Sequence, residues 1–287
     1  WWKNYWQKSY VDIDDDVLQR YYFGALYGLG CTMRQTGKGA DQPNVPASMM
    51  GVWQTNDTCS SYGRGYTNYN YEAPYYGIYS ANRGELMEPY YEECVARLTD
   101  AQNKAASAGY QGVQFERSIT PVYHYYNKKS PKAVAGTKNP SKLPTDQKSN
   151  VMLYTQALIW EWMYQRNEET LKKYVYPSIK QTVEFYLDFL VKKEDGKYWV
   201  ENSANNELNA SSSYDINPVL DIGYVKSHFK AFQEMSEYLG ENLDMIPQIR
   251  EVLENLSPYP TSENAAIAKQ MLAEQGFDHD KEVVVSG

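Results

Sequence analysis

Between Leu220 and Leu239 the apolar residues Ile222, Val225, Phe229, Phe232 and Met235 recur at intervals of three and four, and Gly240 closes the run. That spacing describes an amphipathic helix with one buried stripe. The same period returns along most of the chain and constrains the fold more than any other feature. After the acidic run DIDDD, which suits a helix N-terminus, the stripe consists of Leu18, Tyr21, Tyr22, Ala25, Leu26 and Leu29. Helices are expected from Glu72 to Ala81 and from Glu85 to Ala106, the second ending at Gly109. Others follow along VMLYTQALIWEWMYQR and from Pro177, a residue suited to a first helical position. From there Ile179, Val183, Tyr186, Leu187 and Leu190 share a face. Two shorter helices are expected near 243–256 and 262–275.

Three long polar stretches separate these helices. One runs from 36 to 66, the next from Gly109 to about Asn150, and the third is ENSANNELNASSSYDINP. Unstructured connections of such length are uncommon in compact domains and tend to be functional. Strand signals are few: DGKYWVE reads as a short turn and strand, and KEVVVSG as a strand that begins and stops. No fixed-period repeat emerges, which argues against a solenoid. An all-α chain of about eight helices with long loops suits a helical toroid, whose loops collect at one end, better than a bundle with short connections.

The chain has 287 residues and a formal charge of −8, enough for one large domain or two ordinary ones, with ample length for a real core. An acidic balance argues against a nucleic-acid partner, because phosphate binding rests on clustered lysine and arginine. No apolar run approaches the ~20 residues of a membrane span, and WWKNYWQ carries no secretion-signal pattern. Cys31, Cys59 and Cys94 match no metal knuckle and read as buried or free thiols. The 28 tyrosines, beside 7 tryptophans and 7 phenylalanines, admit two readings. Their rings fill a core while their hydroxyls find partners, or they line a sugar site, stacking flat on pyranose faces.

The chemistry narrows by exclusion. No GxSxG elbow occurs, and none of His124, His228 and His279 has an obvious serine partner; His228, beside Phe229 in a helix, reads as structural. HExxH, paired His and Cys ligands, GxGxxG and Walker-type GK[ST] are all absent, so metal and nucleotide chemistry are not expected. Carboxylate chemistry remains. In NNELNASS, Glu207 sits among Asn205, Asn206 and Asn209, away from any helical charge ladder. A carboxyl in a dry aromatic setting has a raised pKa and can act as a general acid near neutrality; a solvated loop glutamate is the ordinary alternative. In YTNYNYE, Asn68 and Asn70 stand one residue apart among tyrosines, and turn-making asparagines are the ordinary reading of that pair.

The run PASMMGVW, then YGRGYTNYNYEAPYYG, then ELMEPYYE resembles the catalytic domain of glycoside hydrolase family 95, the inverting α-L-fucosidases built on an (α/α)6 toroid. AGYQGVQFE, the helical pair ALIWEWMYQRNEETLKKYVYPSIKQTVEFYLDFLV, DGKYWVENSANNEL and DIGYVKSHFKAFQEMSEYLG follow in the family's order, so the resemblance extends to about Pro260. It implies one catalytic-type helical domain over 1–287, cut short after about 260, with no metal or cofactor. It implies a glycan substrate, hydrolysed at a terminal sugar, and a secreted or periplasmic location. Carried over, Asn68 and Asn70 hold and polarise the attacking water, and Glu207 is the general acid. Trp53 and Tyr75 or Tyr76 line the sugar subsite. A carboxamide is too weak a base to act unaided, so a carboxylate must assist, with acid and base ~6.5–9.5 Å apart as inversion requires.

The departures are specific. The family's S-P-E is N-N-E here, and the centre of its N-I-N is Tyr69. Its catalytic aspartate and His-rich segment lie further toward the C-terminus than this chain extends. Asp215 and Asp221 are the local substitutes, and nothing in the sequence favours either. Two expectations follow: the first part of a longer enzyme, favoured by KEVVVSG ending in mid-element, or a shortened relative without turnover. Other classes stay open, a non-catalytic glycan-binding helical domain and a helical protein-interaction scaffold.

Overall fold

The computed structural model describes residues 1–34, 46, 65–119, 137–205, 215–259, 270 and 273–274. Among these, seven helices carry the architecture: α1 (Trp2–Trp6), α2 (Asp16–Met33), α3 (Glu88–Ser107), α4 (Asn150–Gln165), α5 (Tyr176–Phe189), α6 (Val219–Leu239) and α7 (Ile246–Asn255). Two small antiparallel ribbons complete it. β1 (Gly65–Tyr66) pairs with β2 (Ser118–Ile119), and β3 (Val191–Lys192) pairs with β4 (Tyr198–Trp199).

The core lies among α3 to α6. Ile222, Val225, Phe229, Phe232 and Met235 are fully buried, so the α6 stripe is the core face its spacing predicts. Ile179, Val183 and Tyr186 of α5 meet it from one side, with Tyr176 stacked on Phe232 at 5.5 Å. Each such side chain contributes about 1.5–3 kcal/mol by leaving water. The α6 helix ends at Gly240 in a left-handed conformation, its amide bonded to the Ser236 carbonyl. In α3 the amides of Gly109 and Tyr110 return to the carbonyls of Ala106 and Ala105, which closes the helix at the glycine expected. Gly112 is fixed by contact: with φ at +68°, a Cβ there would lie 2.2 Å from the Gln181 carbonyl oxygen of α5.

Two expectations change. The helix from Glu72 to Ala81 is a succession of tight turns with a 3-10 stretch at Ala73–Tyr75. Pro74 has no amide to donate, and the Glu72 side chain bonds the Tyr69 amide instead of facing solvent. The chain therefore closes i→i+3 bonds, such as Tyr75 to Glu72 and Ile78 to Tyr75. In α2 the predicted N-terminus holds, since the Asp15 carboxylate accepts the amides of Val17 and Leu18, each at 3.0 Å. Its stripe, however, is only partly buried: Leu26 and Met33 face inward, while Leu18 and Tyr21 are exposed. The packing partner is the aromatic α1, whose Tyr5 donates to the Leu26 carbonyl at 2.7 Å. The helix near 243–256 stands as a 3-10 turn at Leu243–Met245 running into α7. The expected helix at 262–275, apart from its helical positions 270 and 273–274, and the strand in KEVVVSG lie outside the described residues.

A buried cation ties α1 and its following segment to the turns. Arg83, wholly buried, lies 4.4 Å from the Tyr5 ring centre. It donates to Ser9 Oγ at 2.9 Å and to the carbonyls of Ala81 and Asn82 at 3.0 Å.

Candidate functional site

The segment after β1 brings the two asparagines into view. Thr67 is anchored by its amide to the Arg117 carbonyl at 2.9 Å, beside β2. Asn68 is half-buried, and Tyr69 and Asn70 are exposed. Tyr69 carries φ of +144°, a region that residues with a Cβ rarely occupy. Its carbonyl accepts from Glu72 N at 3.2 Å and Ala73 N at 2.9 Å, and its amide donates to Glu72 Oε2 at 3.1 Å. The asparagine pair therefore straddles one tightly bonded, strained residue.

An aromatic face flanks this turn. The Tyr69 ring meets Tyr76 edge-on at 6.1 Å, and Tyr76 meets Trp160 of α4 edge-on at 5.4 Å. Tyr76 is 39% exposed, whereas Tyr75 is fully buried between Tyr71 and Tyr90. Of the two tyrosines assigned to a sugar subsite, then, Tyr76 faces outward. Tyr75 belongs to a buried cluster in which the Tyr90 hydroxyl donates to the Tyr154 carbonyl at 2.6 Å. The tyrosines divide by place: Tyr71, Tyr75, Tyr90 and Tyr154 fill core, as the first reading of their excess expects, and Tyr69 and Tyr76 form an outward aromatic face.

Beneath the face lies Glu72, 1% exposed. Burial pushes its carboxyl up to about 8, against the pull of two backbone amides. Burial, and then the Glu72 charge, raise the phenols of Tyr76 and Tyr224 of α6. Glu72, Tyr76 and Tyr224 thus share one neighbourhood. Sequence reasoning passed over Glu72, Trp160 and Tyr224. The first looked like a helix-starting glutamate, and the others lie within helical segments where nothing in the spacing singles them out.

A second cluster holds the base of the loop that carries Glu207. The Ala204 amide donates to the Asp146 carbonyl at 3.0 Å, and the Asn205 amide to Asp215 Oδ2 at 2.7 Å. Ser203 Oγ lies 3.1 Å from both oxygens of buried Asp221, which also accepts from Tyr186 at 2.7 Å. Burial raises Asp221 to about 7 and lowers the nearby Lys148 to about 8. Lys148 donates through Nζ to the Thr145 carbonyl. Asp215 and Asp221 are thus engaged in holding the chain. His228 is buried and lowered to about 3, with Thr155 at 3.1 Å and the Tyr224 carbonyl at 3.0 Å, so it is a neutral structural histidine as its place in the helix predicted. Glu207 and Trp53, assigned as acid and subsite residue, lie outside the described residues. Among the described residues no three of His, Cys, Asp and Glu converge as metal ligands would, and no helix is long and apolar enough to cross a membrane. Cys31 is exposed and Cys94 buried, both as thiols; Cys59 lies outside the described residues.

The architecture is that of the helical-toroid glycosidases. A solved structure assigned as a kojibiose phosphorylase from the human microbiome superposes with a TM-score of 0.58 over 91% of this chain, at 13% identity. This chain spans 37% of that protein, so the likeness concerns a partial toroid. Residues 33–275 match the glycosyl hydrolase family 95 catalytic domain, and the chain belongs to that family. No curated protein gives a match.

Proposed function

We propose that this domain is an inverting, exo-acting glycoside hydrolase of the α-L-fucosidase type, acting on a terminal sugar of an exported or extracellular glycan. The observation that carries the reading is the pair Asn68 and Asn70, set around one strained residue beside the outward ring of Tyr76, within a chain of glycosyl hydrolase family 95. One carboxamide oxygen accepts an O–H of one water and the other carboxamide's NH2 donates to it, which leaves the second O–H to a base and a lone pair directed at the anomeric carbon. In a single displacement the water oxygen bonds to carbon as the glycosidic bond breaks, and the leaving oxygen takes a proton from Glu207. A carboxylate removes the proton from the attacking water, because the amides cannot. Asp215 and Asp221 are committed to the Asn205 amide and to Tyr186 and Ser203, which leaves the base to another carboxylate. Tyr76, with Trp53, supplies the apolar wall on which a sugar ring rests.

The test uses 4-nitrophenyl α-L-fucoside and fucosylated oligosaccharides, with proton NMR of the first-formed anomer. Glu207→Gln is expected to abolish turnover of the oligosaccharides while leaving sugar affinity nearly intact. Asn68→Ala and Asn70→Ala are each expected to lower kcat by about 10²-fold, in the range seen when a positioned polar group is removed. Retention of the anomeric configuration, or unaltered hydrolysis by Glu207→Gln, would remove the mechanism. Sugar binding without hydrolysis by the unaltered protein would instead support a non-catalytic glycan-binding domain.

A further inference from the structure

The asparagine turn is held from below by a group outside the assigned machinery. Tyr69 is exposed, so no burial of its ring accounts for its positive φ, and its edge contact with Tyr76 is weak. Its amide is held by Glu72 Oε2 at 3.1 Å. The other oxygen, Oε1, is buried and has no hydrogen-bond partner among the described residues. A buried carboxyl with one acceptor bond is an expensive way to tie a turn, because a serine or asparagine would satisfy the same amide. The groups whose titration feels its charge are phenols: Tyr76 on the turn itself, Tyr90 of α3, Tyr154 of α4 and Tyr224 of α6. The Glu93–Arg97 ion pair is internal to α3 and perturbs Tyr71 and Tyr154.

We propose that Glu72 is a positioning residue for the attacking water: its buried carboxyl, through the Tyr69 amide, holds the strained backbone that sets the spacing of Asn68 and Asn70. This rests on the role given to the asparagine pair above. The neutral acid is the form the site tolerates. Losing its proton places a charge among phenols with only the Tyr69 amide bonded to it, and that state favours opening of the turn toward water. Because burial holds the proton to about pH 8, the turn keeps its geometry through neutrality and loses it above.

Two measurements separate this inference from the proposed activity. Amide exchange of the peptide 66–75, read by mass spectrometry, reports the turn directly. It is expected to accelerate at least tenfold in Glu72→Ala and, in the unaltered protein, to rise beyond intrinsic base catalysis as pH passes 8. Turnover of fucosylated oligosaccharides is expected to fall 10²-fold or more in kcat for Glu72→Ala, with KM changed less. Glu72→Gln, a neutral isostere, is expected to recover most of that loss and to lack the alkaline limb. Unchanged exchange in Glu72→Ala, or an alkaline limb that persists in Glu72→Gln, overturns the inference. Where Glu72→Ala fails to fold, the pH profile of Glu72→Gln decides alone. Altered exchange together with no hydrolysis by any form removes the proposed function, and with it the role toward water, and leaves only the hold of Glu72 on the turn.

Discussion

The turn bearing Asn68 and Asn70 and the junction of α5 with α6 each bury a carboxyl, and they treat it differently. Asp221 is surrounded by donors: the Tyr186 hydroxyl reaches one oxygen and Ser203 lies within reach of both. Glu72 has the Tyr69 amide on one oxygen and an orphan on the other. Desolvation raises both by similar amounts, Asp221 from 3.8 to about 7 and Glu72 from 4.5 to about 8, so the contrast lies in their partners. Hydroxyl donors stabilise the charge that burial penalises, so the junction is built as a fastening. The turn keeps a buried carboxyl with one oxygen unpartnered among the described residues, and perturbed groups of that kind concentrate where a protein does chemistry.

Substitution should break this contrast in opposite directions. Asp221→Ala leaves the Tyr186 and Ser203 hydroxyls buried without their acceptor, and roughly 3 kcal/mol of stability should disappear. Urea unfolding measures it, and a loss below about 1 kcal/mol would show the junction to be slack. Glu72→Gln removes a buried titrating group, so its stability at pH 8 should equal or exceed that of the unaltered chain.

The next effect is one of pH. Glu72, Asp221 and Glu161 all hold their protons to higher pH when folded, Glu161 to about 7 because burial outweighs the bond from Tyr79. Their ordinary values are 4.5, 3.8 and 4.5, so folding takes up protons between those values and the folded ones. The stability they contribute is greatest on the acid side and is lost as pH rises through 7 to 8. His228, lowered from 6.5 to about 3, works in the opposite sense but is spent above 6.5, and Lys148 opposes only between about 8 and 10.5. Between pH 6.5 and 8 the carboxyls act without opposition. A fall on the order of 2 kcal/mol is expected there, since one pKa unit is 1.36 kcal/mol. Chemical denaturation across that window checks it, and Glu72→Gln should remove the largest share of the slope.

The smallest expected effect is Tyr186→Phe, which takes one donor from Asp221. It should cost about 1 kcal/mol and shift the pH dependence of stability alkaline, making Asp221 resemble Glu72. An unchanged profile would mean that the hydroxyl contributes nothing to the charge.

The same two regions show what could be read from the residues. The α6 stripe follows from spacing alone, because periodic apolar side chains over many turns leave one solution; the start expected at Pro177 instead falls inside a helical run that opens at Glu168 and passes through a π turn at Leu171–Val175 into α5. The stretch after Tyr71 misleads for a local reason: Glu72 looks like a first-turn acid, but Pro74 interrupts the ladder and the carboxyl bonds backward to Tyr69. The pairing of Asn68 and Asn70 was visible as a motif. Trp160 and Tyr224 were not, since they come to Tyr76 and Glu72 from distant helices and no spacing announces a tertiary neighbour. His228 read correctly because a lone histidine amid a helical core seldom has chemistry to do.

Arg83 sets a practical boundary on how this domain can be handled. Its guanidinium, sealed under the turns that follow the asparagine pair, takes Ser9 Oγ and the Ser9 carbonyl as acceptors and lies against Tyr5. An expression fragment starting at the DIDDD segment would strand that cation without half its cage, 11 residues from Glu72 in sequence. The tryptophan-rich opening is therefore part of what cages Arg83, and trimming it for convenience would loosen the turns at Ala81 and Asn82 that the same guanidinium holds.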